Sequence, residues 1–181
     1  MEIVNYDDAL ENQALIRGRQ MVENGLFNRM GFTFGQRINK AKIGCIGELT
    51  FSILLTEKGI PFRTDTGDFT NRNSDDFDFS INNKLIDVKV ANTLLMPNDR
   101  WTYGYPVQQI GLRKDYVVVG AVNDEERCVR FYGWIPFSRI SRYPTQQSNS
   151  FAGFNYSTLN YEFPWGDLNK SFDTLWALCL E

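Results

Sequence analysis

The chain reads as an α/β protein with a mixed central β-sheet flanked by helices. Three observations predict this. Residues 9–24 and 39–58 have helical periodicity, two period-two segments at 77–81 and 85–90 flank Asn82-Asn83, and 116–122 is a nearly continuous apolar run rich in β-branched valine. A two-residue Asn-Asn loop favours a type I′ hairpin, because Asn tolerates positive φ. An almost continuous apolar run is what a strand covered on both faces requires.

Taken in order, Asp7 and Asp8 form an N-cap region, and the first helix stops at Gly25. Residues 28–38 read as irregular. The second helix is expected from about Asn39 to Lys58, with Ile43, Ile46, Thr50, Ile53 and Leu54 as its apolar stripe, Gly59 as its stop and Pro61 following. Residues 62–75 read as a strand fragment and a polar loop, and the hairpin comes next. Trp101 to Val107 predicts a further strand, Gln108 to Lys114 a connector, Tyr116 to Val122 a buried strand, 123–126 a turn, Val129 to Ile135 another strand and Pro136 to Ile140 a helical turn. From Ser141 to Asn160 the composition turns to Ser, Thr, Asn, Gln and aromatics, predicting a long irregular segment. Leu168 to Leu180 reads as a terminal strand or short helix. There is no internal repeat, so one domain over 1–181 is expected, with its core at about 39–136 and an irregular aromatic and polar segment over 141–181.

The composition excludes more than it identifies. With 181 residues and 43% apolar content, the chain can bury a real core. No apolar run approaches the ~18 residues of a membrane span, and the acidic start Met-Glu-Ile-Val lacks a signal-peptide pattern, so no membrane partner is expected. Cys45, Cys128 and Cys179 lie far apart, which fits a reducing, cytoplasmic setting and neither a disulfide framework nor a Cys-x-x-Cys metal site. There is no histidine. That removes Ser-His-Asp and Cys-His catalysis and His-based zinc sites, leaving carboxylates, lysine, hydroxyls or a metal. Net charge is −3, but it is unevenly spread: Arg17, Arg19, Arg29, Arg37, Lys40 and Lys42 face only Glu23 over 13–42, while acids gather between Asp65 and Asp87. Four arginines and no acid lie between Arg127 and Arg142. An acidic centre between basic segments suits a phosphodiesterase, with carboxylates for an ion and cations for phosphates; the plainer reading is a set of solvated faces.

The hairpin carries the strongest chemical signal. With Asn82-Asn83 as its loop, Ile81 pairs with Lys84 and Phe79 with Ile86, and the register extends to Asp78 opposite Asp87 and Asp76 opposite Lys89. Phe77, Phe79, Ile81, Ile86, Val88 and Val90 then share an apolar face, while Asp78, Asp87 and Lys89 share the other. Opposed like charges are destabilising, so a cation or a shared proton is expected to offset them. Hard carboxylate oxygens suit Mg²⁺, and a nearby lysine can orient water and stabilise phosphate charge. The plainer alternative, a surface face with an Asp76–Lys89 salt pair, leaves the Asp78–Asp87 repulsion unexplained. Glu48 sits mid-helix in Gly44-Cys45-Ile46-Gly47-Glu48, where two glycines predict close approach by another element. Asp75 and Asp76 read as capping or tuning residues. Gln108 and Gln109 follow a predicted strand and are candidates for contact with the site or with nucleic acid, although exposed loop glutamines are commoner. Tyr143, Phe151, Phe154, Tyr156 and Tyr161 are candidates for base stacking or for packing the C-terminal segment.

The series Gly44-Cys-Ile-Gly-Glu48, then Phe77-Asp78, then Asp87-Val88-Lys89 nine residues after Asp78, resembles the PD-(D/E)xK nuclease superfamily, the restriction-endonuclease-like fold. The likeness spans roughly 39–136, with 116–119 and 131–135 similar to later strands of such domains. It departs in having Phe77 before the Asp, Asp rather than Glu at 87, no Gln-x-x-x-Tyr helix and no cysteine cluster, which disfavours the exonuclease and iron–sulfur branches. The resemblance implies a Mg²⁺-dependent deoxyribonuclease, with Mn²⁺ as a substitute. Asp78, Asp87 and Glu48 would serve the metal, and Lys89 would position the attacking water. Arg17, Arg19, Arg37, Lys40, Lys42, Gln108 and Gln109 would contact DNA. It further implies duplex DNA as substrate, a homodimer for double-strand cleavage, and a restriction-type or phage-related endonuclease. A junction-resolving or repair nuclease, an inactive DNA-binding or assembly protein of the same fold, and a small-molecule hydrolase are the alternatives.

Overall fold

The computed structural model describes residues 1–25, 31–65 and 77–181. The chain is a mixed α/β protein. Helix α1 (Asp8–Glu23) starts where its sequence predicts, with the Asp7 carboxylate accepting from Leu10 N at 2.9 Å. Helix α2 (Phe34–Glu57) begins earlier than expected. Thr33 and Gln36 form a reciprocal capping box, so Asn39 lies inside the helix rather than capping it.

One six-stranded sheet has the order β1 (Glu2–Asn5), β7 (Cys128–Pro136), β6 (Tyr116–Asn123), β4 (Lys84–Asn92), β3 (Phe79–Ile81), β2 (Arg63–Thr64). Among the described residues of this sheet only β4 and β6 are parallel neighbours; the other pairs are antiparallel. The hairpin turn is as expected, with φ of 46° at Asn82 and 66° at Asn83. Strand β1 was not foreseen: Glu-Ile-Val-Asn is short, with a single buried residue.

The expected strand near 101–107 exists as β5 (Thr102–Pro106), but it belongs to a second, three-stranded sheet of order β5, β9 (Asn155–Pro164), β8 (Thr145–Ser148). The segment over 141–160, expected to be irregular, therefore supplies strand structure. Its outward residues are mostly polar or aromatic and its pairing is interrupted by a bulge, so no clean apolar alternation marks it. The short helix α3 (Phe137–Ile140) follows β7, and the C-terminal segment ends in helix α4 (Phe172–Leu180), capped by Ser171.

Two cores lie on opposite faces of the six-stranded sheet. Helices α1, α2 and α4 cover Phe79, Ile81, Ile86, Val88, Val118 and Val122. The second sheet and α3 cover Val117, Val119, Ala121 and Ile135, with Tyr105, Phe163 and Trp165 opposite them. Strand β6 is buried on both faces, which is why it reads as a valine run. Gly47 meets the expectation of close approach: a Cβ there would lie 2.7 Å from Val90 Cγ1 of β4. Gly44 does not, since nothing lies within 4 Å of its added Cβ. Among the described residues no helix is long and apolar enough to cross a membrane.

Candidate functional site

The charged groups singled out from the sequence gather around β4, but on both sides of it. The ladder between β3 and β4 runs from Ile81↔Lys84 to Phe79↔Ile86. It does not advance to a regular Asp78↔Asp87 pair. Asp78 N–H donates to Ile86 O at 3.1 Å, the residue already opposite Phe79, and the Asp78 carboxylate accepts from Val88 N at 2.6 Å. The chain thus bends where two like charges would have met. The Val88 amide, left without a ladder partner past the end of β3, takes a carboxylate instead. The expected Asp76–Lys89 pair, the capping roles of Asp75 and Asp76, and Arg29 lie outside the described residues.

Asp87 projects to the face covered by the second sheet and is only 1% exposed. Lys89 Nζ lies 2.9 Å from Asp87 Oδ2, Lys114 Nζ donates to Oδ1, and the Tyr105 hydroxyl donates to Oδ2 at 3.0 Å. The Lys114 side chain is as sealed as its partner, whereas Lys89 keeps 23% exposure. Burial alone would push the Asp87 carboxyl up, but Lys89 and Lys114 outweigh it and hold it below the ordinary carboxylate range. Burial would lower Lys89; Asp87 and then Asp78 raise it well above its usual value. Asp78 goes the other way. Burial, then the charge of Asp87, push its carboxyl up to about 6, against the opposing pull of Lys89. Of the two carboxylates, Asp78 is therefore the one whose charge is balanced less.

Glu48 approaches from the helical side. It shares a narrow cleft of about 40 Å³ with Arg17, Ser52, Thr64 and Asp78. Arg17 Nη2 lies 2.9 Å from Glu48 Oε2. Asp78 is thus the junction between this cleft and the Asp87–Lys89–Lys114 cluster. Among the described residues no group of three or more carboxylates or thiols is close enough to hold a metal together. Mg²⁺ is commonly bound through one or two carboxylates and water; here both Asp87 oxygens already accept from Lys89, Lys114 or Tyr105 and Asp78 Oδ2 accepts from Val88 N, so an ion held by the two carboxylates would take the place of one of these contacts.

The basic residues of the N-terminal segment are less available than their net charge predicts. Arg17 is paired with Glu48, Arg19 Nε with Glu23 at 2.9 Å, and Lys42 Nζ with Glu11 at 2.9 Å. Lys40 lies over the Phe32 ring at 4.7 Å and Arg37 over Phe34 at 5.6 Å. Gln108 and Gln109 sit in a 3₁₀ turn over Val107–Gln109, directly after β5; Gln108 is exposed and Gln109 half-buried.

Sequence reasoning missed Lys114 and Tyr105. Parallel pairing of β4 with β6 begins at Ile86↔Tyr116, and Asp115 locks that entry by accepting from Leu85 N at 2.7 Å. This register carries Lys114 to Asp87 from 27 residues away. A lysine just before a buried strand was the available signal, but it does not reveal which neighbour the strand will have. Comparison with protein-family models, with curated proteins and with solved structures finds no match to this chain.

Proposed function

We propose that the protein is a metal-dependent endonuclease that hydrolyses phosphodiester bonds in duplex DNA, of the restriction-endonuclease-like, PD-(D/E)xK type. The observation that carries the reading is the junction at Asp78. A carboxylate with its pKa raised to about 6 stands between an Asp-x-Lys pair on β4 and a helical glutamate. The order of elements adds support: a helix, an antiparallel hairpin, then a strand parallel to the second arm of the hairpin.

Mg²⁺, with Mn²⁺ as a substitute, would be held by Asp78 and Asp87, with Glu48 in reserve behind Arg17. When bound, the ion supplies Lewis-acid polarisation of the phosphate and a more acidic water. Lys114 and Tyr105 fix the Asp87 carboxylate. Lys89, the more exposed of the two lysines, holds water or a phosphate oxygen at the mouth of the site. Arg17, Arg37, Lys40 and Lys42, with Arg19, Gln108 and Gln109 further along, carry backbone contacts. Arg17 would exchange its carboxylate for a phosphate. A restriction-type or phage-related role, a cytoplasmic setting matching three unbonded cysteines, and a homodimer complete the reading.

One observation favours a second reading. Asp87 is sealed between two lysines and a tyrosine, an arrangement that can serve structure alone, as in an inactive DNA-binding or assembly protein. Plasmid incubated with purified protein and Mg²⁺ or Mn²⁺ separates the two. Nicking or linearisation is expected from the wild type and is lost in Lys89→Ala and Asp78→Asn. Cleavage that survives both substitutions sinks the site assignment. DNA binding with no cleavage by the wild type supports the second reading.

A further inference from the structure

Residues 143–161 contain no Asp, Glu, Lys or Arg, yet they build the exposed edge of the second sheet. Pairing runs Thr145↔Tyr161 and Gln146↔Asn160, then jumps to Ser148↔Asn155. Residues 156–159 thus bulge against Gln147 alone, opening a shallow cleft of about 530 Å³ lined by Gln147 and residues 155–159. Tyr156 forms part of its wall and is firmly held. A Cβ at Gly104 would lie 2.4 Å from the Tyr156 ring, so only glycine admits the ring there. The Tyr156 hydroxyl accepts from Asn149 Nδ2 at 2.8 Å and donates to Glu162 Oε2 at 3.4 Å. Glu162 in turn accepts from Ser150 N at 2.8 Å, fastening the connecting loop. The bulge is a built feature: Tyr156 packs against Gly104, the residue before Tyr105 in β5.

The side chains around the bulge have a definite chemistry. Gln147 and Asn155 are exposed, and among the described residues their amides enter no hydrogen bond. Phe151, Phe154 and Leu159 are 52%, 54% and 42% exposed. Immediately before β8, Arg139 and Arg142 are exposed, and Arg142 enters no ion pair among the described residues. Primary amides offer a donor and an acceptor side by side, matching the adenine edge, and apolar groups match the thymine methyl. An uncharged ribbon flanked by arginines suits base edges inside a groove with phosphates at its rim. A two-stranded ribbon also fits the major groove, about 12 Å wide.

We propose that the bulged β8–β9 pair reads base edges in the major groove of duplex DNA, with Gln147 and Asn155 as reading residues and Arg142 on a phosphate. This inference rests on the nuclease reading. The test is selection from a pool of randomised duplexes with Ca²⁺ in place of Mg²⁺, for the wild type, Gln147→Ala/Asn155→Ala and Arg142→Ala, beside plasmid cleavage in Mg²⁺ and light scattering. The wild type is expected to enrich a motif containing A·T pairs, and the double variant to lose about tenfold or more of that discrimination. Arg142→Ala should weaken all sequences alike and lower the salt slope by about 1. An unchanged motif and unchanged fragments in the double variant overturn the ribbon and leave the nuclease. A changed oligomeric state with unchanged selectivity makes this edge a contact between copies and also overturns it. Selective binding without cleavage by the wild type keeps the ribbon and removes the nuclease. Neither binding nor cleavage removes both.

Discussion

On one side of β4, Ile86 and Val88 pack with Phe79 and Phe51 beneath α2; on the other, Asp87 is enclosed by Lys89, Lys114 and Tyr105. The apolar face is held by area and shape. Phe51 is fully buried and meets Phe79 and Phe131 edge-to-face at 5.1 and 5.3 Å. The polar face is held by charge balance, and its stability depends on keeping every partner. Removing apolar volume leaves a cavity, whereas removing one charge leaves another stranded.

The two faces should fail differently at their centres. Phe51→Ala should cost about 3–5 kcal/mol through cavity formation, read as a lower urea midpoint. Asp87→Ala should cost about 3 kcal/mol because Lys114 is left buried without its carboxylate. The two faces differ in repair. Asp87→Leu combined with Lys114→Met should recover most of that stability while remaining inactive on plasmid DNA. Full recovery of both properties would show that the cluster has no chemical role.

Asp78 sharpens the contrast through pH. Its folded pKa, about 6, lies above the unfolded carboxylate value, so the folded state binds the proton more tightly. Its contribution is most favourable below pH ~4 and is lost as pH rises towards ~6. Asp78→Asn keeps an acceptor for Val88 N and removes the buried charge. It should raise stability at pH 7 by on the order of 1 kcal/mol and flatten the dependence of the urea midpoint on pH between those values. Millimolar Mg²⁺ should raise the melting temperature of the wild type and leave that of Asp78→Asn unmoved. Equal shifts in both would remove Asp78 from the metal site.

The helical side is tested through its two glycines. Gly47→Ala should cost about 1–3 kcal/mol through its clash with Val90, and Val90→Ala should relieve it. Gly44→Ala, with open space around its added Cβ, should stabilise by up to about 1 kcal/mol, read by thermal melting.

Much of the apolar face was legible because local rules govern it. The Asn82-Asn83 turn sets the register from Ile81↔Lys84 to Phe79↔Ile86, and period-two alternation then assigns Phe79, Ile81, Ile86 and Val88 to one core. The α2 stripe follows from helical spacing, although its start does not: the Thr33–Gln36 box overrode Asn39. The second sheet was harder to read. Every residue of β8 is exposed, β9 becomes buried only in its second half, and their pairing skips residues at the bulge, so neither apolar period nor strict alternation marks them. At the site, Asp78, Asp87 and Lys89 could be singled out from the hairpin register, and Glu48 from the two glycines beside it together with the family resemblance. The neutralisation of Arg17 by Glu48 and of Lys42 by Glu11 could not, because those pairs depend on how α1 packs against α2; the Arg19–Glu23 pair is an i,i+4 contact within α1 that spacing does reveal.

By itself the sequence determined the α/β class, the hairpin with its turn, the apolar face of β4, and a chemistry without histidine. These depend on residue type and on contacts within a few positions, where the backbone period leaves little freedom. Only the tertiary structure decided that β4 would lie parallel to β6, bringing Lys114 to Asp87. It also decided that a second sheet would place Tyr105 over the same carboxylate, and that Asp78 would turn out of register to bind the Val88 amide. Each of these joins residues distant in the chain or trades one hydrogen-bond partner for another. The outcome rests on which arrangement leaves the fewest buried charges and amides unmatched.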